Sequence, residues 1–128
     1  MHRAELYTEF SENRTCMVNV DKTELLNRLI ELHYGAIIEK EHLIYRIYYS
    51  NCKEIYSNQG QDEEYHLKID PAARVRFEGG LDEYEKLLEE ISAEHNNRKI
   101  YGILRNGNVE SDFLVMDVYY EMNKEEYF

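Results

Sequence analysis

The sequence contains little of several residue types that mark particular classes of protein. It has two cysteines, Cys16 and Cys52, one proline and no tryptophan among 128 residues. Two cysteines are too few for a disulfide framework, so the sequence predicts reduced thiols and a cytoplasmic location.

No apolar run approaches the roughly 20 residues that a membrane-spanning helix needs. The opening segment MHRAELYTEF has acidic residues where the apolar part of a signal peptide would lie.

Positive charge is also scarce. The chain has 15 lysines and arginines against 26 acidic residues, a formal net charge of −11. This surplus repels nucleic-acid phosphates and anionic lipids, so we expect neither direct nucleic-acid binding nor membrane binding without a local basic patch. The candidates for such a patch are Arg74, Arg76, Arg98, Lys99 and Arg105. The charge favours a basic protein partner, although it is also explained by solubility alone.

Sequence motifs for catalysis and metal binding are missing. The chain has no HExxH, CxxC or G-x-S-x-G motif, no phosphate-binding glycine loop and no dinucleotide-binding fingerprint. No histidine has a second histidine or cysteine at metal-ligand spacing. A site that combines His66 with the acidic residues at 62–64 is the one alternative. We therefore predict no enzyme, no catalytic residues, no metal ligands and no cofactor.

Hydrophobic periodicity predicts one α+β domain over residues 1–128. Alternating apolar residues indicate strands at 4–10, 16–20, 36–40, 43–50, 65–69, 75–77, 100–105 and 109–122. Apolar residues at helical spacing indicate a helix that begins at Asp21, with Gly35 as its stop, and a helix over about 81–95. The polar segment 11–14 is read as a turn, 57–64 as a loop and Asn106-Gly107 as a tight hairpin turn.

Two segments of the chain resemble each other and indicate an internal duplication. LIYRIYY (43–49) matches LVMDVYY (114–120), and YGAI (34–37) matches YGIL (101–104), each after a predicted helix. We therefore predict two β-α-β-β units, at about 15–57 and 74–122, plus an N-terminal strand. Both helices would pack on one side of a largely antiparallel sheet and leave its other face open.

The repeated β-α-β-β order is similar to the paired modules of the vicinal oxygen chelate folds, over about residues 15–122. That family includes metalloenzymes, with His and Glu ligands on particular strands, and drug-sequestering proteins. The matching strands here carry Cys16 and Val18 in one unit and Arg74 and Arg76 in the other. The resemblance therefore implies a cleft for a cationic small molecule rather than a metal site.

Tyrosines and carboxylates supply the candidate binding residues. Of twelve tyrosines, Tyr48 and Tyr120 lie on predicted strands, where they are either interface anchors on the open face or cross-strand packing. Glu83, Glu89, Glu90 and Glu94 lie on the second helix. They form either an ordinary solvated surface or one that steers a basic partner.

These observations predict a non-catalytic acidic binding protein. The leading hypothesis is an inhibitor or immunity-type protein that occludes a basic target, such as a nuclease or another nucleic-acid-binding protein. The alternatives are a binder of a cationic small molecule in an aromatic, acidic cleft and a structural subunit that forms a homodimer.

Overall fold

The computed structural model describes residues 5–7, 9–31, 35–50, 64–95, 99–108 and 110–121. Within these ranges two helices and nine strands form two antiparallel sheets, and the predicted α+β class is confirmed. The helices are α1 (Lys22–Glu31) and α2 (Leu81–His95). The strands are β1 (Glu5–Tyr7), β2 (Phe10–Arg14), β3 (Cys16–Asp21), β4 (Ile37–Glu41), β5 (Ile44–Tyr49), β6 (Tyr65–Ile69), β7 (Ala72–Gly79), β8 (Ile100–Asn108) and β9 (Phe113–Glu121). Neither described helix has the length and apolar content that crossing a membrane requires.

Seven strands form one sheet in the order β1-β7-β9-β8-β4-β5-β3. Its two halves repeat one arrangement, because β3-α1-β4-β5 and β7-α2-β8-β9 each place their last strand between the other two. The two units meet where β4 pairs with β8, with Ile37 opposite Ile103 and Ile38 opposite Gly102. This order of pairing supports the predicted internal duplication.

The cross-strand pairs allow residues of the two units to be compared. In the first unit Ile47 of the middle strand lies between Val18 and Ile38. In the second unit Val118 of the middle strand lies between Val75 and Gly102. LIYRIYY and LVMDVYY both contain the middle strand of their unit, β5 and β9. When these two segments are aligned, the strand pairings place Gly102 at the position of Ile38 and not of Gly35, so the predicted matches LIYRIYY/LVMDVYY and YGAI/YGIL do not share one register.

Asp21 caps the first helix, as predicted. Its carboxylate accepts hydrogen bonds from the Thr23 hydroxyl at 2.6 Å and from the backbone N–H of Glu24 at 3.1 Å. The hydrogen bond from Thr23, followed by that from Glu24, holds the pKa of Asp21 below its ordinary value. A side-chain acceptor at this position satisfies a backbone donor that has no partner inside the helix.

The larger core lies between the two helices and one face of the seven-stranded sheet. Leu25 and Leu29 of α1 and Tyr84, Leu87 and Ile91 of α2 pack there against alternate residues of the strands. The predicted placement of both helices on one side of the sheet is confirmed.

The opposite face of the sheet is partly covered by a ribbon of two strands, β2 and β6. Phe10, Leu67 and Ile69 of the ribbon form a second buried cluster with sheet residues that include Tyr48 and Tyr101. The prediction of an open face is therefore wrong for the part under the ribbon, whereas Arg76 and Arg105 stay exposed elsewhere on this face. The predicted polar turn at 11–14 is also wrong, because these residues belong to β2. Pairing with β6 satisfies the backbone of this polar segment while alternate side chains stay exposed.

The predicted hairpin turn at Asn106-Gly107 is also wrong. Both residues lie within β8 and pair with β9, and the chain turns after Asn108. The register with β9 shifts just before Asn106, where Arg105 is an extra residue in a β-bulge. The cross-strand hydrogen bonds of β8 therefore prevail over the local preference of Asn-Gly for a tight turn.

Cys16 is fully buried in β3 and is disulfide-bonded. The predicted reduced thiol at this position is therefore wrong. The low number of cysteines excludes a framework of several disulfides but does not exclude a single one. Cys52 lies outside the described residues, as does most of the predicted loop at 57–64.

Candidate functional site

The second helix separates apolar and acidic side chains onto different faces. Its apolar residues recur at helical spacing and are buried in the larger core. Glu83, Glu89 and Glu90 are exposed on its outer side. The backbone of Glu94 continues the helix, and its side chain lies outside the described part of the structure. The predicted spacing therefore directs the three described carboxylates to solvent.

Glu85 lies on the same helix but faces the first unit of the repeat. Its carboxylate binds Lys22 Nζ at 2.7 Å and Lys40 Nζ at 3.0 Å, and it accepts a hydrogen bond from the Tyr45 hydroxyl at 2.8 Å. Burial alone would raise the pKa of Glu85, but these hydrogen bonds outweigh it and lower the pKa to about 2. Burial and the bond to Glu85 raise the pKa of Tyr45.

A groove of about 940 Å³ separates α2 from β4. Its charged lining consists of Glu39, Glu41, Glu85, Glu89, Lys40 and Lys99. The apolar lining includes Leu88 and Ile100, and no tyrosine or phenylalanine lies among the described lining residues. We call this region the acidic groove. It is continuous with the exposed carboxylates of α2 through Glu89.

The hairpin between β4 and β5 places apolar side chains at the end of the acidic groove. Leu43 is 84% exposed and Ile44 is 50% exposed. They border a second depression, of about 410 Å³, and Glu41 and His42 line both this depression and the groove. We call Leu43 and Ile44 the apolar tip. The sequence pattern assigned both residues to a strand at 43–50 and gave no sign that they are exposed.

The acidic groove, the helix face and the apolar tip all lie within a segment that a protein family shares. A family model matches residues 1–122. The chain belongs to the family of unknown function DUF5975. No curated protein and no solved structure matches it. The resemblance of this DUF5975 protein to the vicinal oxygen chelate folds stays a prediction.

The two tyrosines expected to anchor a partner are buried in the DUF5975 chain. Tyr48 is 5% exposed, and its ring centroid lies 5.6 Å from that of Tyr65 beneath the β2–β6 ribbon. Tyr120 is 6% exposed in the larger core. Both therefore pack within the molecule. Sequence periodicity assigned each ring to a strand but carried no information about the ribbon that covers part of one face.

The described residues contain no group of three His, Cys, Asp or Glu side chains placed to hold a metal ion. His66 is hydrogen-bonded through Nε2 to the Ser11 hydroxyl at 3.0 Å. His42 is exposed at the hairpin turn, and His33 and the side chain of His95 lie outside what the structure describes.

Proposed function

We propose that this DUF5975 protein is a non-catalytic binding protein that occludes a basic protein target, of the inhibitor or immunity type. The observation that carries the proposal is the exposure of Glu83, Glu89 and Glu90 along one helix beside the acidic groove. Such a surface attracts a basic partner at long range and speeds their encounter. Nucleases and other nucleic-acid-binding proteins fit as targets, because the surfaces that they use are positively charged.

The apolar tip supplies the short-range contact in this proposal. Beside the acidic groove, Leu43 exposes most of its surface and Ile44 exposes half. Protein interfaces commonly combine a desolvated apolar centre with a polar rim, and the apolar contacts slow dissociation. The tip therefore takes the anchoring role first assigned to Tyr48 and Tyr120.

Charge reversal on the outer face of α2 tests the proposal. The target is isolated by affinity capture from native lysate at low ionic strength, identified by mass spectrometry and purified. The variant E83K/E89K/E90K should slow association with that target by roughly tenfold or more, because the steering charge is reversed. Its melting temperature should fall only modestly, because Glu89 and Glu90 are exposed and Glu83 makes one long hydrogen bond, from the Gly80 N–H at 3.5 Å. Association rates are measured by stopped-flow mixing.

The control is E9K/E64K/D70K, which changes the net charge equally at exposed positions that flank β2 and β6, on the sheet face opposite α2. It should retain most of the wild-type association rate. Equal slowing in both variants would assign the effect to net charge and reject the helix face. If affinity capture with the wild-type protein yields no basic protein from the lysate, the proposed function is wrong.

The acidic groove favours a second function, the binding of a cationic small molecule. Four carboxylates border a volume of about 940 Å³, which is within the range of ligand pockets. A rise in melting temperature with spermidine, in the absence of a protein partner, would favour this function. A melting temperature that depends only on protein concentration would favour the homodimer instead.

A cytoplasmic location remains a prediction. It rested on reduced thiols, and the disulfide at Cys16 removes that support. Disulfides persist mainly in oxidising compartments, so the location is better tested by cell fractionation than argued from cysteine number.

A further inference from the structure

Asp117 is a buried carboxylate in the middle of β9, on the sheet face opposite the helices. It is 3% exposed, whereas its neighbours Met116 and Val118 face the larger core. Arg76 donates from Nη1 to one carboxylate oxygen at 2.9 Å, and Arg105 donates from Nε to the other at 2.7 Å. The arginine side chains are 55% and 45% exposed. One buried acid therefore holds two guanidinium groups at the surface.

The strand pairing and one irregularity build this arrangement. β7 and β8 flank β9, and the register of β7 places Arg76 directly opposite Asp117. Arg105 comes from the other side as the extra residue of the β-bulge in β8. Bulges of this kind redirect a side chain and are frequent beside functional sites. Both arginines are among the basic residues named from the sequence, but no local pattern places them together.

The local charge is positive in a chain whose net charge is −11. Arg76 and Arg105 face Asp117, and Arg76 is flanked on the same face of β7 by Arg74 and Glu78. Burial alone would raise the pKa of Asp117, but the hydrogen bonds from Arg105 and Arg76 lower it. Asp117 therefore remains ionised and keeps both guanidinium groups oriented.

Each guanidinium has more donors than Asp117 uses. A guanidinium carries five N–H groups, and Asp117 accepts one from each arginine. The remaining donors belong to half-exposed side chains on two strands that flank a third. Strands two apart are separated by about 9–10 Å. The tetrahedral oxygens of a phosphate can accept from guanidinium groups that approach from two sides.

We propose that Arg76 and Arg105, oriented by Asp117, form a binding site for a small phosphate group, either inorganic phosphate or a phosphomonoester. The site lies on the sheet face opposite α2, and it does not depend on the proposed function. Asp117 acts as the positioning residue and the arginines as the binding residues.

The test is an NMR titration that follows the arginine side-chain N–H signals of the full chain at constant ionic strength. Inorganic phosphate and glycerol 2-phosphate are the two probes, and they distinguish a free anion from an ester. We expect saturable shifts of the Arg76 and Arg105 signals. R76Q and R105Q should each weaken binding roughly tenfold, because each removes a charge-assisted pair of hydrogen bonds.

The matched control is R46Q. Arg46 occupies the position equivalent to Asp117 in the first unit and pairs with Glu41 and, at 3.7 Å, with Glu39. R46Q should bind phosphate as the wild type does. R105K keeps the charge but loses the planar guanidinium donors, so it should bind phosphate more weakly than the wild type and more tightly than R105Q. Thermal melting checks that each variant is folded.

Three outcomes would overturn the site. Absence of a saturable shift with either probe would do so, as would equal shifts with sodium acetate, which would indicate a general anion effect. Unchanged affinity in R76Q/R105Q would place phosphate elsewhere. Tighter binding of the ester than of inorganic phosphate would support the site and identify the esterified form as its ligand.

Discussion

The hydroxyl of Tyr84 lies against the backbone of Gly102 and leaves no room there for a side chain. A Cβ at Gly102 would come within 2.3 Å of the Tyr84 oxygen and 2.9 Å of the Met116 methyl group. Tyr84 and Met116 are 1% and 0% exposed, so neither has solvent to move into. Packing, and not an unusual backbone conformation, therefore requires glycine at position 102.

G102A should lower the free energy of unfolding by about 1–3 kcal/mol, the usual range for an overpacked core. G107A is the matched control in the same strand, because its Cβ would meet nothing nearer than 3.4 Å. It should change the free energy by less than about 0.5 kcal/mol. Urea unfolding measures both variants, and equal losses would contradict this account of Gly102.

At the scale of elements, the two helices are capped by residues from different parts of the chain. α1 has a local cap, Asp21. The first turn of α2 begins at Gly80, whose carbonyl accepts the N–H of Tyr84 at 3.0 Å but which has no side chain. Glu83 accepts the Gly80 N–H at 3.5 Å, and Asp112, 31 residues after Leu81, accepts the Leu81 N–H at 3.2 Å. The turn between β8 and β9 therefore stabilises α2.

D112A should lower the free energy of unfolding by about 1–2 kcal/mol, since it removes the cap. Asp112 also has a φ of 48°, which Asn tolerates better than Ala. D112N should therefore retain most of the stability, and E110A, an exposed neighbour, should be neutral. Hydrogen exchange should accelerate in the first turn of α2 in D112A. Faster exchange confined to the β8–β9 turn would reject a capping role.

At the scale of the whole molecule, Glu85 connects the two units of the repeat. It belongs to α2 of the second unit, whereas Lys22, Lys40 and Tyr45 belong to α1, β4 and β5 of the first. These contacts cluster beside the acidic groove, so the same carboxylate that joins the units also shapes the groove wall. Loss of Glu85 should affect the stability of the whole fold.

The pH dependence of stability follows from the lowered pKa of Glu85. Its pKa of about 2 lies below the ordinary 4.5, so its contribution is complete above about pH 4.5 and is lost as the pH falls towards 2. E85Q should therefore be less stable than the wild type by about 2 kcal/mol at neutral pH. This difference should vanish near pH 2.

E89Q is the control for Glu85, because Glu89 is exposed on the same helix. Its free energy of unfolding should follow that of the wild type at each pH. Guanidinium unfolding across the pH range measures all three proteins. A difference between E85Q and wild type that is constant with pH would show that Glu85 acts through packing rather than charge.

The local sequence pattern predicts the exposed carboxylates of α2, but it does not predict the acidic groove. Helical spacing identified α2 and directed Glu83, Glu89 and Glu90 outward, because that depends only on the 3.6-residue period. The acidic groove joins Glu39 and Glu41 to Glu85 and Glu89, which are distant in the chain. No periodicity indicates that β4 and α2 become neighbours.

The sequence by itself determined both helices and most of the antiparallel strands of the two repeated units, because alternation and capping are local properties of the chain. Only the tertiary structure decided that residues 10–14 form a strand over the sheet, that Arg105 is inserted as a bulge and that Asp112 caps α2. Each of these depends on hydrogen-bond partners far away in sequence. A backbone donor or a buried carboxylate is satisfied by whatever the fold brings to it, and local propensity does not specify that partner.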